Sequence, residues 1–271
     1  MILRDFTLKT YTKLLQAFEI GEYTCLTVEQ YCAIRQGIGD RKELPERYVI
    51  MRHDIDKRPW FAVKMAELEA QRGIRSSYYF RIGKESNNPE CIKRIAALGH
   101  EIGYHYEDMS ICHGDYEKAY EHFKQSLEYF RQFYPVRTCC MHGAPMSKYD
   151  SRLLWEKYDY HDLQIIGEPY YDVDFDKVLY LTDTGRCWDG YTYSLRDKVP
   201  EQQQKWIDRR HVYHFTEEVI YAMEDHIVPA VLFTTHPQRW TDKWWPWLKE
   251  LFEQNFKNIV KGAMSYKRGE N

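Results

Sequence analysis

Histidines and carboxylates gather at a few places in this 271-residue chain. His53, Asp54 and Asp56 stand together in the run Arg52–Asp56, and His105, Glu107 and Asp108 form a second group. His142, Asp183 and His236 stand more singly. Side chains of these types can hold a divalent cation, move a proton during hydrolysis, or satisfy one another. If Arg52–Asp56 is extended, Asp54 and Asp56 share a side, because side chains alternate along a strand. Two carboxylates on one side repel unless a cation or a proton stands between them. A solvated loop is the competing reading of that pair. A structural hydrogen bond competes for His105, and a surface acid for Glu107. His142 opens the turn His142–Gly143–Ala144–Pro145 and is expected at the mouth of a site. His236 precedes Pro237, where a strand must stop, and both an acid role and a packing role fit it.

These residues share a position relative to the elements that carry them. Short apolar runs suited to strands lie at Tyr48–Arg52, Ser76–Phe80, His100–Tyr104, Arg137–Met141, Leu163–Ile166, Lys177–Leu181 and Ala230–Thr235. His53, Asp54 and Asp56 follow the first run, and His105, Glu107 and Asp108 the third. His142 follows the fourth, Asp183 the sixth and His236 the seventh. Helical patterns fill the gaps at Pro59–Arg72, Pro89–Leu98, Tyr116–Tyr134, Ser151–Lys157, Thr216–His226 and Thr241–Lys261. Residues 185–215 read as irregular, with room for a hairpin. Strands alternating with helices imply an α/β fold with parallel strands. In such folds the carboxyl ends of the strands converge on one crevice. Seven strands suggest a barrel, with a doubly wound open sheet as the alternative. The expected organisation is a single domain: a helical N-terminal extension over 1–47, a barrel core over 48–240 and a C-terminal helix over 241–271. The extension should turn at Gly21–Thr24 and carry a capping box of Thr27 with Gln30.

Composition narrows the function. The formal net charge is −3, with acids and bases mixed along the chain, so nucleic acid is not an expected partner. No run approaches the ~20 apolar residues of a membrane span. The N-terminus lacks the apolar stretch of a secretory signal. Seven cysteines with no CxxC pair fit reduced thiols, so the cytoplasm is the expected location. Aromatics make up 16%, enough for a sugar-stacking platform, although core packing accounts for most of them. No G-x-S-x-G elbow or G-x-x-x-x-G-K loop is present. Cys139–Cys140 sits near His142 as a conceivable nucleophile, but its place in an apolar strand favours structural thiols.

The runs RHDID, SSYYF, GHEIGYH and LFTTHP follow one another from Tyr48 to about His236. In that order they resemble the polysaccharide deacetylases, the NodB-homology or carbohydrate esterase family 4 group. GHEIGYH is the most specific of them. The resemblance implies a distorted (β/α)7 barrel with a divalent metal, usually zinc. It also implies hydrolytic removal of an N-acetyl or similar acyl group from an amino sugar or glycan intermediate. By its pattern Asp54 is the catalytic base, Asp56 and His105 are metal ligands, and His236 protonates the leaving group. The family's second motif is His-x-x-x-His, and its second histidine falls here on Met109, a poor ligand. Glu107, Asp108 or His142 then stands in, with Glu107 preferred, or the metal is weakly held or lost. Arg52, His53, His142, Asp183, Trp188 and Arg239 are the expected substrate-binding residues. The expected partner is a carbohydrate or another N-acylated small molecule. The sequence does not address oligomeric state. Hydrolysis of a non-sugar C–N bond, or a sugar-binding pseudoenzyme, are the alternatives.

Overall fold

The computed structural model describes residues 4–189, 194 and 196–255. The apolar run beginning at Tyr48 becomes the central strand β2 (Tyr48–Ile55), buried along its whole length. Around it lie β1 (Thr24–Leu26), β3 (Ser77–Phe80), β4 (Glu101–Tyr106), β5 (Cys139–Met141), β6 (Leu179–Thr182) and β7 (Ala230–Thr235). All pairings are parallel, in the order β5-β4-β3-β2-β7-β6. β1 and β3 share one edge of β2: β1 pairs with Tyr48–Ile50, and β3 takes over from Arg52 to Ile55. The result is a mixed α/β fold whose parallel sheet curls into a half-barrel flanked by helices.

Alternation along the strands separates two faces. Val49, Met51, Val231 and Phe233 pack into an outer cluster with α1 (Leu8–Ile20) and α10 (Thr216–Glu224). Tyr78, Phe80, Tyr104 and Tyr106 pack outward on α3 (Trp60–Ala70), α4 (Pro89–Ala97) and α6 (Tyr116–Arg131). Ile50, Tyr79, Cys140 and Leu232 meet on the inner face. By the same count Arg52, Asp54 and His105 face inward, and His53 faces outward. Gly103 also lies on the inner face, where a Cβ would collide with the Tyr79 ring.

Capping residues set the helix starts. Thr27 and Gln30 form a reciprocal capping box on α2 (Val28–Arg35). Asn88 caps α4 with Pro89 in its first turn, and Asp115 caps α6. A single turn, α5 (Asp108–Ile111), follows β4. Short helices α7 (Leu154–Lys157), α8 (Pro169–Asp172) and α9 (Pro200–Asp208) precede α10. The last helix, α11, is described over 244–255, and the rest of the expected C-terminal helix lies outside the described residues. No helix among the described residues is long and apolar enough to cross a membrane.

The sheet differs from expectation in two places. Residues 163–166 do not form a strand. A 3-10 turn occupies Tyr160–Leu163, and Gln164 adopts a left-handed backbone at φ 59°. Only an isolated bridge between Thr138 and Gly167 follows before Glu168 caps α8, so the run is too short for a strand. The N-terminal segment, in turn, is not purely helical. Its Thr24–Leu26 completes the edge of β2 as β1. Within 185–215, α9 stands where irregular chain was expected, its start marked by Pro200. The hairpin expected there falls partly on residues 190–193 and 195, outside the described residues.

Candidate metal centre and active site

The carboxyl ends of the strands bring the site together. β2 ends at Ile55, one residue before Asp56, and β5 ends at Met141, one residue before His142. β6 ends just before Asp183, and β7 just before His236. His105 lies on β4 itself. Asp56 Oδ1 stands 3.7 Å from His105 Nε2 and 3.5 Å from His142 Nε2. This oxygen is buried and has no hydrogen-bond partner. Ligand atoms about 2 Å from one tetrahedral ion lie roughly 3.4 Å apart, so the spacing fits a shared ion.

Each imidazole is prepared to offer Nε2. His105 Nδ1 lies 2.9 Å from the Cys140 carbonyl oxygen and donates to it. His142 Nδ1 lies 2.8 Å from Glu107 Oε2 and donates to that carboxylate. In both rings this leaves the Nε2 lone pair facing Asp56. Burial, outweighing the nearby Asp54, lowers the His105 pKa to about 4, so the ring is neutral near pH 7. Burial works against the Asp56 charge, yet His142, His236, His105 and Arg81 hold its carboxyl well below the usual range.

Asp56, His105 and His142 thus form a group that could hold an ion, and Glu107, the residue expected there, stands behind His142. Glu107 accepts from Arg81 Nε at 2.8 Å as well as from His142. Burial disfavours its charge, but His142 and Arg81 pull its pKa down to about 2. Asp108 is turned away and buried against Tyr104 and His122. Met109, where the family's second histidine would stand, is buried in the outer cluster with Phe123.

Two further groups flank the three candidate ligand atoms. Arg52 grips Asp54 with two bonds, Nε to Oδ1 at 2.9 Å and NH2 to Oδ2 at 2.6 Å. Burial opposes the Asp54 charge, but Arg52 and His105 lower its pKa, so the carboxylate is ionised. Its Oδ2 is 3.6 Å from His105 Nε2. On another side, His236 Nδ1 lies 2.7 Å from Asp183 Oδ1, and His236 Nε2 is 3.8 Å from Asp56 Oδ2. Asp183 also accepts from the His236 amide, from the Trp240 indole at 2.8 Å and from Arg239. Burial and Arg239 disfavour a charge on His236, yet Asp183 raises its pKa above the ordinary value. Asp54, Asp56, His105, His142 and His236 all line one cavity of about 520 Å³.

Several expected substrate-binding residues stand elsewhere. His53 is fully buried on the outer face, bonded to Glu69 and Thr235 and stacked on Tyr78. Trp188 is buried in the outer core beside Phe233, its indole bonded to Thr216. Arg52 and Asp183 are buried behind the cavity, where they hold Asp54 and His236. Arg239 and His142 both line the cavity, His142 within the group that could hold an ion.

Among the cavity residues that were not anticipated are Arg81, Asp197 and Gln238. Arg81 directly follows β3, so the strand-end rule would have found it. Gln238 donates to Asp56 Oδ2 at 3.4 Å from the turn after β7. Asp197 accepts from the Tyr170 and Tyr180 hydroxyls and lies 3.8 Å from Arg52, in a stretch with no strand-end signal.

No protein-family model matches this chain, and no curated protein matches it.

Proposed function

We propose that this chain is a metal-dependent hydrolase of the polysaccharide deacetylase type, built on a distorted (β/α)7 barrel. Its reaction removes an N-acetyl or similar acyl group from an amino sugar or glycan intermediate. One observation carries the reading: three ligand atoms converge beside a clamped carboxylate and a carboxylate-backed imidazole, all in one cavity. The sequence resemblance, drawn from the motifs that hold Asp54, Asp56, His105 and His236, agrees with it.

Asp56, His105 and His142 would hold the ion. The two imidazoles and one carboxylate suit zinc, which lowers the pKa of water to about 7 and polarises the acyl carbonyl when bound. Asp54 takes the proton of the attacking water as the new C–O bond forms. Arg52 fixes the direction of that carboxylate and keeps it ionised until the transfer. His236 gives its Nε2 proton to the nitrogen as the C–N bond breaks. Without that proton the tetrahedral centre would expel water and revert. Asp183 receives the His236 Nδ1 hydrogen, which orients the ring and stabilises its charge. Arg239 and Trp240 fix Asp183 in turn.

The test is a screen of N-acetylated amino sugars with the metal-loaded protein, reading released acetate. Asp54→Asn keeps the shape of the side chain but cannot accept a proton. It should leave metal content unchanged and slow turnover by about 10²–10⁴-fold, the usual worth of a positioned base. Metal-loaded wild type that hydrolyses no N-acyl substrate, or an unimpaired Asn variant, would contradict the reading.

A further inference from the structure

A second set of metal-ligating side chains lies outside the cavity. Cys187, Asp189 and His214 each offer one ligand atom, and these atoms lie within 4.8 Å of one another. The backbone brings them together. Asp189 is bridged to Thr182 at the end of β6. The Trp188 amide donates to the His214 carbonyl at 3.2 Å. The Trp188 indole donates to Thr216 Oγ1, at the head of α10, at 2.9 Å. With Trp188 buried as an anchor, its two neighbours are fixed against the lead-in to α10. Cys187 lies at the floor of the set, 2% exposed. Asp189 and His214 reach solvent, with side-chain exposures of 28% and 53%, so an ion has a way in.

We infer that Cys187, Asp189 and His214 form a second metal site, for a zinc-like ion of borderline softness. A thiolate, an imidazole and a carboxylate supply three of four tetrahedral positions and leave one for water. The sulfur selects against hard ions such as magnesium or calcium, which prefer all-oxygen sites. The site would act as a clamp. It closes the segment from Asp183 to Asp189 onto the approach to α10, and that segment presents the carboxylate that holds His236. The competing description is an ion pair only. Both Asp189 oxygens are 3.0 Å from His214 Nδ1, and such a pair could stand beside a thiol that donates to the Thr184 carbonyl oxygen at 3.7 Å.

Metal stoichiometry separates the two descriptions without reference to any substrate. The full chain, stripped of metal and titrated with zinc, should bind two equivalents. Cys187→Ser and, separately, the more exposed His214→Ala should each bind one. His142→Ala, which disables the cavity site, should also retain one. Loaded with cobalt(II), wild type and His142→Ala should show a thiolate-to-metal charge-transfer band. Cys187→Ser should lack that band, whereas Cys140→Ser should keep it. The last variant is the needed control, because Cys140 lies beside Asp54 and His105. Two equivalents in both Cys187→Ser and His214→Ala would overturn the inference. So would a single wild-type equivalent that only His142→Ala removes, which leaves the ion pair only. A single equivalent removed by Cys187→Ser but not by His142→Ala would support this site and count against the cavity site.

Discussion

Glu107 and His142 take different places in the candidate metal centre: His142 Nε2 faces Asp56 at 3.5 Å, and Glu107 stands on its other ring nitrogen at 2.8 Å. A carboxylate at Glu107 is close enough in sequence to His105 to suggest a ligand. Arg81 and His142 hold it instead, and it directs the ring that does face Asp56. The division predicts unequal effects of mutation. His142→Ala removes one of the three proposed ligands and should abolish tight zinc binding in the cavity, read by titration against a chelator. Glu107→Gln keeps a hydrogen-bond acceptor but loses the charge. It should retain the metal with an affinity lowered about 10–100-fold, as is usual for partners behind the ligands. Equal losses would mean that Glu107 is itself a ligand. A second residue-scale prediction concerns His236. An activated ester leaves without needing a proton, so His236→Ala should slow amide hydrolysis far more than ester hydrolysis. Equal slowing of both substrates would remove it from the role of acid.

At the scale of elements, parallel strands account for what could and could not be read. Polar residues directly after apolar runs located Asp56, His142, Asp183 and His236, because strand ends in this architecture share one rim. The error at His53 was avoidable: the alternation that puts Asp54 beside Arg52 sends His53 to the outer face. Trp188 was harder, since an aromatic residue in an irregular stretch gives no periodicity to place it inside or outside. β1 was too short to register, and the apolar run at 163–166 was broken by the left-handed Gln164. The outward side of β2 meets α3 in a buried network, in which Glu69 accepts from Tyr78 at 2.7 Å and contacts His53 at 2.8 Å. Burial opposes the Glu69 charge, but His53 and His100 draw its pKa down to about 2. A depressed carboxyl stabilises the fold above its unfolded value of about 4.3. That contribution is lost as pH falls through the folded value. Glu69→Gln disturbs the buried hydrogen bonds that Tyr11, Tyr78 and His53 make to this carboxylate, and should destabilise the protein by roughly 1–3 kcal/mol near neutrality. It should also flatten the stability profile between about pH 4 and pH 2, followed by chemical denaturation at each pH. An unchanged slope would mean that Glu69 is not charged in the folded state.

For the whole molecule, the half-barrel gathers residues from Asp54 to His236 into one cavity and leaves the outer faces to packing. The distance along the chain between these groups is what made their convergence informative in the sequence. Which residue joins Asp56 and His105 was not legible there, because it depends on which ring faces the centre and which carboxylate stands behind it. That choice is the core of the functional account, and it can be observed directly. Crystals of the full chain soaked with zinc should show an anomalous peak in the cavity within about 2.2 Å of Asp56 Oδ1, His105 Nε2 and His142 Nε2. Glu107 should remain on His142 Nδ1, with Asp54 outside the coordination sphere. A cavity without a peak, or a peak ligated by Glu107 in place of His142, would contradict the account.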